Sequence, residues 1–112
     1  MPRPGLVLVV GRSMEPTLHD GDVLLVLRGA RPRIGRMAVV ALPPDEHGIP
    51  RPLAVKRIAR TDPSDATRYW VERDNPAEGV DSWLVGSLPR EAVRAVVLAR
   101  LPRRLTSAFR PR

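Results

Sequence analysis

Apolar residues fall in short runs along the chain: Leu6–Val10, Val23–Leu27, Met37–Leu42, Leu53–Ile58, Tyr69–Glu72 and Val93–Leu101. The runs are rich in valine and leucine, and several alternate poorly with polar residues. That pattern predicts strands buried on both faces. Turn signals separate them: His19-Asp20-Gly21-Asp22, Gly29 to Gly35 with Pro32, Pro43-Pro44 through Pro52, Asp62-Pro63-Ser64-Asp65, and Pro76 to Gly79. Pro89 to Arg94 is the one fair helix candidate, with Pro89 at a first helical position where its missing N–H costs nothing. The pattern therefore predicts a mostly β fold with at most one short helix, which runs directly into the last strand. From Pro102 onward the apolar pattern is lost and Arg103, Arg104, Arg110 and Arg112 accumulate, with Leu105 and Phe109 as the large apolar companions. We expect one folded domain over 1–101 and a basic, loosely ordered tail over 102–112.

Composition narrows the class. A chain of 112 residues suits one domain, and its 43% apolar content is too high for a disordered chain. No apolar run approaches the ~20 residues that span a bilayer, and Leu6–Val10 lacks the length of a signal-peptide core. The expectation is no integral membrane segment and a cytoplasmic location. The alternative is peripheral attachment at the inner face of the membrane through the basic tail. The net charge is +7, from eighteen arginines and a single lysine against 12 acidic residues, while aromatics make up only 4%. Nucleic-acid binders interleave basic and aromatic residues, so no nucleic-acid partner is expected. There are no cysteines, which excludes disulfides, thiolate metal sites and a cysteine nucleophile. His19 and His47 both stand in turn-like segments with no second histidine at ligand spacing, so neither a metal nor any other cofactor is expected.

Two residues carry candidate chemistry. The stretch GRSMEPTLHDGD, Gly11 to Asp22, sets Ser13 between an apolar run and a turn. A serine there either caps the turn or is held as a nucleophile, and a nucleophile needs a base. Lys56, in LAVKRIAR, is the only lysine of the chain and sits inside an apolar run. Arginine cannot be deprotonated in a protein, whereas a buried lysine loses its proton readily and can act as a general base. On composition alone, Lys56 is equally readable as a chance survivor on a strand surface.

The two segments together resemble the signal-peptidase-like serine proteases, a superfamily (S24/S26) of type I signal peptidases, LexA-type self-cleaving repressors and nickel-type superoxide dismutase maturation proteases. SMEPT, the following GD with its valine-rich strand, and VKR some forty residues later carry the resemblance, over Val9 to Leu101. It implies mixed, mainly antiparallel coiled β-sheets, Ser13 as nucleophile and Lys56 as general base. It also implies that Gly11, Arg12 and Met14 line the oxyanion and substrate cleft and that Pro16 shapes the turn. A third segment, RDNPAEGVDSWLVG from Arg73 to Gly86, is similar to the signal-peptidase pattern of G-D-N, three residues, then S-x-D-S-R-x-x-G. Asp74, Asn75, Asp81, Ser82 and Gly86 match it. Arg73 replaces the glycine, Gly79 the serine whose hydroxyl helps orient the lysine, and Trp83 the arginine that partners Asp81. Arg57 is the expected substitute partner of Asp81.

Twelve residues precede Ser13, few for the cleavage-site segment of a self-cleaving repressor, and no spanning segment precedes it. The branch most resembled is the nickel-type superoxide dismutase maturation proteases. The resemblance thus implies a serine endopeptidase that removes an N-terminal leader from a protein bound in extended form. The alternatives are signal-peptidase-like processing of exported proteins and a catalytically degenerate binding module of the same fold.

Overall fold

The computed structural model describes residues 1–106. The strands are β1 (Arg3–Leu8), β2 (Val23–Arg28), β3 (Met37–Val40), β4 (Ala54–Asp62), β5 (Asp65–Glu72), β6 (Leu88–Pro89) and β7 (Val93–Arg100). They form one sheet in the order β1-β2-β7-β3-β4-β5-β6, in which every neighbouring pair is antiparallel. The fold is mostly β, as the apolar pattern and the resemblance imply.

The sheet is covered on both faces at its centre. In β3, Val39 packs with Val9, Met14, Leu24, Val26, Val55 and Val97, while its neighbours Ala38 and Val40 pack in a second cluster with Leu42, Ile58, Val71 and Leu88. Successive side chains on a strand point to opposite faces, so a strand inside both clusters must be apolar throughout. This is why β3 reads as a continuous run. Bulges between Leu25 and Val26 and between Val39 and Val40 bend the strands, as a coiled sheet requires.

Two extensions go beyond the apolar runs. The far ends of β4 and β5 pair through Arg60↔Trp70, Thr61↔Tyr69 and Asp62↔Asp65, a hairpin arm in which β4 turns polar. The two-residue strand β6 pairs with β5 at Arg68 and Tyr69.

The helix expected at Pro89–Arg94 is a 3-10 turn, Arg90–Ala92, which leads straight into β7. The count needs correction. Two four-residue helices, α1 (Ser82–Val85) and α2 (Arg103–Thr106), exceed the one short helix expected. Neither has room for a helical apolar period. The Asp81 carboxylate fixes α1 by accepting from Trp83 N–H, a local capping interaction.

The first tail residues are held by a buried carboxylate. Asp22 is 1% exposed, and its Oδ2 accepts from His19 N–H at 2.8 Å while its Oδ1 accepts from Arg103 Nη2 at 2.8 Å. Arg100 stands 3.9 Å away, and Thr106 is buried. Phe109, Arg110 and Arg112 of the expected tail lie outside the described residues.

A buried carboxylate stripped of its partners is costly, and so is a buried donor left unpaired. We predict that Asp22→Ala lowers unfolding free energy by about 2 kcal/mol. Arg103→Ala costs less, about 1 kcal/mol, because that guanidinium is half in water. Urea denaturation of the two variants measures both, and the order of the two effects is the check.

Candidate active site

The turn that carries Ser13 grows from the end of a strand ladder. Val9 N–H donates to Asp22 O at 2.7 Å and Gly21 N–H to Val9 O at 2.8 Å, so the β1–β2 pairing continues past both strands. The loop from Gly11 to Asp20 is pinched between them. Gly11, at φ +88°, makes the exit bend, and its N–H donates to Asp20 Oδ1 at 2.8 Å. Met14, 2% exposed, anchors the turn in the first core cluster. Pro16, after a cis peptide bond, lies in the following turn, and Leu18 N–H donates to Met14 O at 2.9 Å.

Lys56 lies on β4 opposite Ala38 of β3. Strand alternation places it on the same face as Ala54 and Ile58. The side chain is 2% exposed, and its Nζ is 2.8 Å from Ser13 Oγ. Burial pushes the Lys56 amine below the usual lysine value; the negative charge of Asp81 opposes this and the positive charge of Arg73 adds to it. A lysine amine in its neutral form, at hydrogen-bond distance from a hydroxyl, can accept its proton.

The Arg73–Gly86 segment packs over this pair. Asn75 N–H donates to Ser13 O at 2.8 Å, and Asn75 Nδ2 donates to Arg12 O at 2.9 Å. Asp74 accepts from Thr17 Oγ1 at 2.6 Å and from both Nε and Nη2 of Arg57, at 2.9 and 2.7 Å. The Arg57 hydrogen bonds hold the Asp74 carboxyl below its usual range, and Asp74 in turn raises Arg57. Ser82 Oγ, fully buried, accepts from Val71 N–H at 2.8 Å and ties α1 to β5.

The expected pairing of Arg57 with Asp81 does not form. Arg57 follows Lys56 on the strand and so points to the opposite face, where it meets Asp74 and Gly35 O. Asp81 acts on Lys56 from the other side. Its Oδ2 accepts from Arg73 N–H at 3.0 Å and lies 3.9 Å from Arg73 Nε. Trp83 turns outward, edge-on to Trp70 with centroids 5.1 Å apart, and donates to Glu72 Oε2 at 2.7 Å.

Gly79 touches the pair directly. It has φ +98°, and a Cβ built on it would stand 2.5 Å from Ser13 Cβ, 3.4 Å from Lys56 Nζ and 3.5 Å from Ser13 Oγ. The backbone here occupies the space that a side chain would need. Sequence reading treated position 79 as a lost hydroxyl; the structure makes it a close backbone approach.

A cleft of about 400 Å³ opens beside Ser13 and Lys56. Val7 to Met14 form one wall and Arg51 to Lys56 the other, with Glu78, Gly79 and Val80 at one end. Gly11, Arg12, Ser13, Met14 and Lys56 therefore meet in one cavity, whereas Arg57, Asp74, Asn75, Asp81 and Ser82 stand behind it. Sequence reading missed Leu53, Val55 and Glu78, which reach the cleft only because β4 and the 73–81 loop converge there. His19 uses its backbone N–H on Asp22, and the His47 side chain is exposed beside Glu46. Among the described residues no three His, Cys, Asp or Glu side chains form a group that could hold a metal ion. No helix among those residues is long and apolar enough to cross a membrane.

A family model described as Peptidase S24-like matches residues 4–80. The chain belongs to this family. The matched span covers the Ser13 turn, Lys56 and Gly79, and stops just before Asp81. A search of curated proteins returned no match to the chain. As a member of this family the chain has a peptidase-like fold, with the 2.8 Å serine–lysine contact inside the matched span.

Gly79→Ala is predicted to disturb this contact. The added methyl meets Ser13 Cβ and sits on a backbone angle that side chains avoid, a strain of about 1–3 kcal/mol. Thermal melts should register that loss, and a structure of the variant should show Ser13 Oγ drawn away from Lys56 Nζ.

Proposed function

We propose that this S24-like chain is a serine endopeptidase that works through a Ser13–Lys56 dyad, with its peptidase domain over 1–101. The observation that carries the reading is the hydrogen bond between Nζ of the buried Lys56 and Ser13 Oγ, 2.8 Å long, at the side of a mostly apolar cleft. Ser13 Oγ attacks the scissile carbonyl carbon as Lys56 takes the hydroxyl proton. The resulting tetrahedral oxyanion collapses, and Lys56 passes its proton to the departing amine. A water, deprotonated by Lys56, then attacks the acyl ester carbon, and Lys56 returns that proton to Ser13 Oγ as the ester C–O bond breaks and the acid leaves. The Ser13 backbone N–H is the proposed oxyanion donor, since the Gly11 N–H is already taken by Asp20. Arg12 and Met14 flank the nucleophile.

The cleft supports an extended protein or peptide substrate. Its walls run along Val7–Val10 and Leu53–Val55, two nearly straight segments lined with valine, leucine and alanine. A peptide laid between them pairs through its backbone and offers alternate side chains to the walls. Small apolar residues suit those walls on the leader side of the cut. By resemblance, the substrate is the leader-bearing precursor of a nickel-type superoxide dismutase, cut in the cytoplasm.

Ser13→Ala is expected to reduce peptide cleavage by about a thousandfold or more. Lys56→Arg should be as damaging as Lys56→Ala, because arginine keeps the charge and cannot serve as base. A fluorophosphonate probe should label Ser13 in the native chain and fail on Lys56→Arg. Absence of labelling in the native chain would leave a binding module in place of an enzyme.

The pH dependence follows from the Lys56 shift. Burial favours the neutral amine, so the active form accumulates as pH rises through a midpoint below that of an ordinary lysine. Cleavage should climb from acid into mildly alkaline pH. A rate flat down to pH ~5 would require a different base.

A further inference from the structure

Arg73 lies at the end of β5, where the related pattern has glycine, and its guanidinium spans the loop that covers the dyad. Nη1 donates to Gly79 O, Nε faces Asp81 Oδ2 at 3.9 Å, and its own backbone N–H donates to the same Oδ2. The loop between them has few other ties near its end. Asn75 fixes the first half, through Ser13 O, Arg12 O and its own turn to Ala77 N–H. Beyond Glu78, Arg73 is the hydrogen-bond partner of Gly79 among the described residues. Gly79 is also the residue at which an added Cβ would run into Ser13 and reach Lys56 Nζ.

We propose that Arg73 is a positioning residue of the dyad: by pinning the Gly79 carbonyl it seats the loop backbone on Ser13 and Lys56 and keeps water from the amine. The inference rests on the serine–lysine reading above, and it assigns that site a support which the Asp81–Arg57 expectation did not contain.

Three effects follow from this placement, and they share a sign. Loss of the strut lets the loop lift and water reach Lys56, which favours the charged amine. Removal of the Arg73 cation takes away a repulsion that also disfavours that form. The Asp81 carboxylate, freed from Arg73, then attracts the ammonium more strongly. Asp81 and Arg73 face Lys56 from the loop side, Ser13 faces it from the turn, and Arg12, Arg51 and Glu78 line the adjoining cleft. Each consequence of removing Arg73 moves the Lys56 titration upward.

The test uses the fact that Lys56 is the only lysine. In the full chain labelled with 15N-lysine, one side-chain amine resonance reports the Lys56 titration without any turnover. Two variants separate the contributions: Arg73→Gln keeps a donor for Gly79 O without the charge, and Arg73→Met keeps neither. The expected result is an upward move of the Lys56 midpoint in both, larger in Arg73→Met. The acid limb of the kcat/KM profile should move with it, and kcat at neutral pH should fall about tenfold with KM changed less than about threefold. Thermal melts check that both variants are folded. An unmoved Lys56 midpoint in folded Arg73→Met overturns the proposal, even if activity falls. A chain that cleaves no peptide but shows the shifted midpoint keeps the Arg73 assignment and sinks the peptidase reading.

Discussion

The hydrogen bond between Lys56 Nζ and Ser13 Oγ is the contact around which much of the molecule is arranged. A lysine ammonium resists transfer out of water, and burial pushes the Lys56 amine below its usual value. β4 delivers the amine from inside the sheet and the Met14-anchored turn brings Ser13 to it. The 73–81 loop closes above both with a residue that has no side chain. No single one of these would suffice. An open loop would hydrate the amine, and a loose turn would let the hydroxyl swing away.

The sheet supplies the rigidity for this. Its central strands are packed on both faces, so a shift of β4 would disturb two apolar clusters at once. Arg57 and Lys56, neighbours in sequence, consequently serve different faces. One clamps Asp74 and the Thr17 turn, and the other meets Ser13. The Asp74 arrangement stiffens the turn from behind, where solvent reaches it, while the cleft side stays apolar. A polar brace and a dry contact are thus kept apart by the thickness of one strand.

Sequence carried much of this and failed in specific places. β3 was legible because two-sided burial demands continuous apolar residues, and a run such as MAVV has no other economical explanation; β2 and β7 were legible because apolar residues dominate them. The outer end of β4 was not, because Arg60, Thr61 and Asp62 are polar and leave no apolar trace. Helix α1 owes its turn to the Asp81 cap, which involves two neighbouring residues and no periodicity. At the candidate site, Ser13 and Lys56 stood out by motif and by the scarcity of lysine. Gly79 looked like a loss, since a sequence shows which atom is missing and not which backbone has moved into its place. The partner of Asp81 was misassigned because strand parity, invisible until β4 is placed, turns Arg57 away. Arg73 stood out only as a replaced glycine, and its contact was hidden for a similar reason: its reach across the loop depends on how residues 74–80 fold back.

The scarcity of lysine has an effect on the outside of the molecule as well. With Lys56 enclosed, the exposed cationic side chains that stay charged at alkaline pH are all guanidinium groups, which hold their protons throughout the range in which proteins survive. The guanidinium contribution to the electrostatic halo of the molecule is therefore constant across the alkaline range. Encounter with a charged partner stays the same while the interior amine changes state. The molecule separates the two functions of a basic residue: arginine sets its long-range attraction, and its one lysine is left free to exchange a proton.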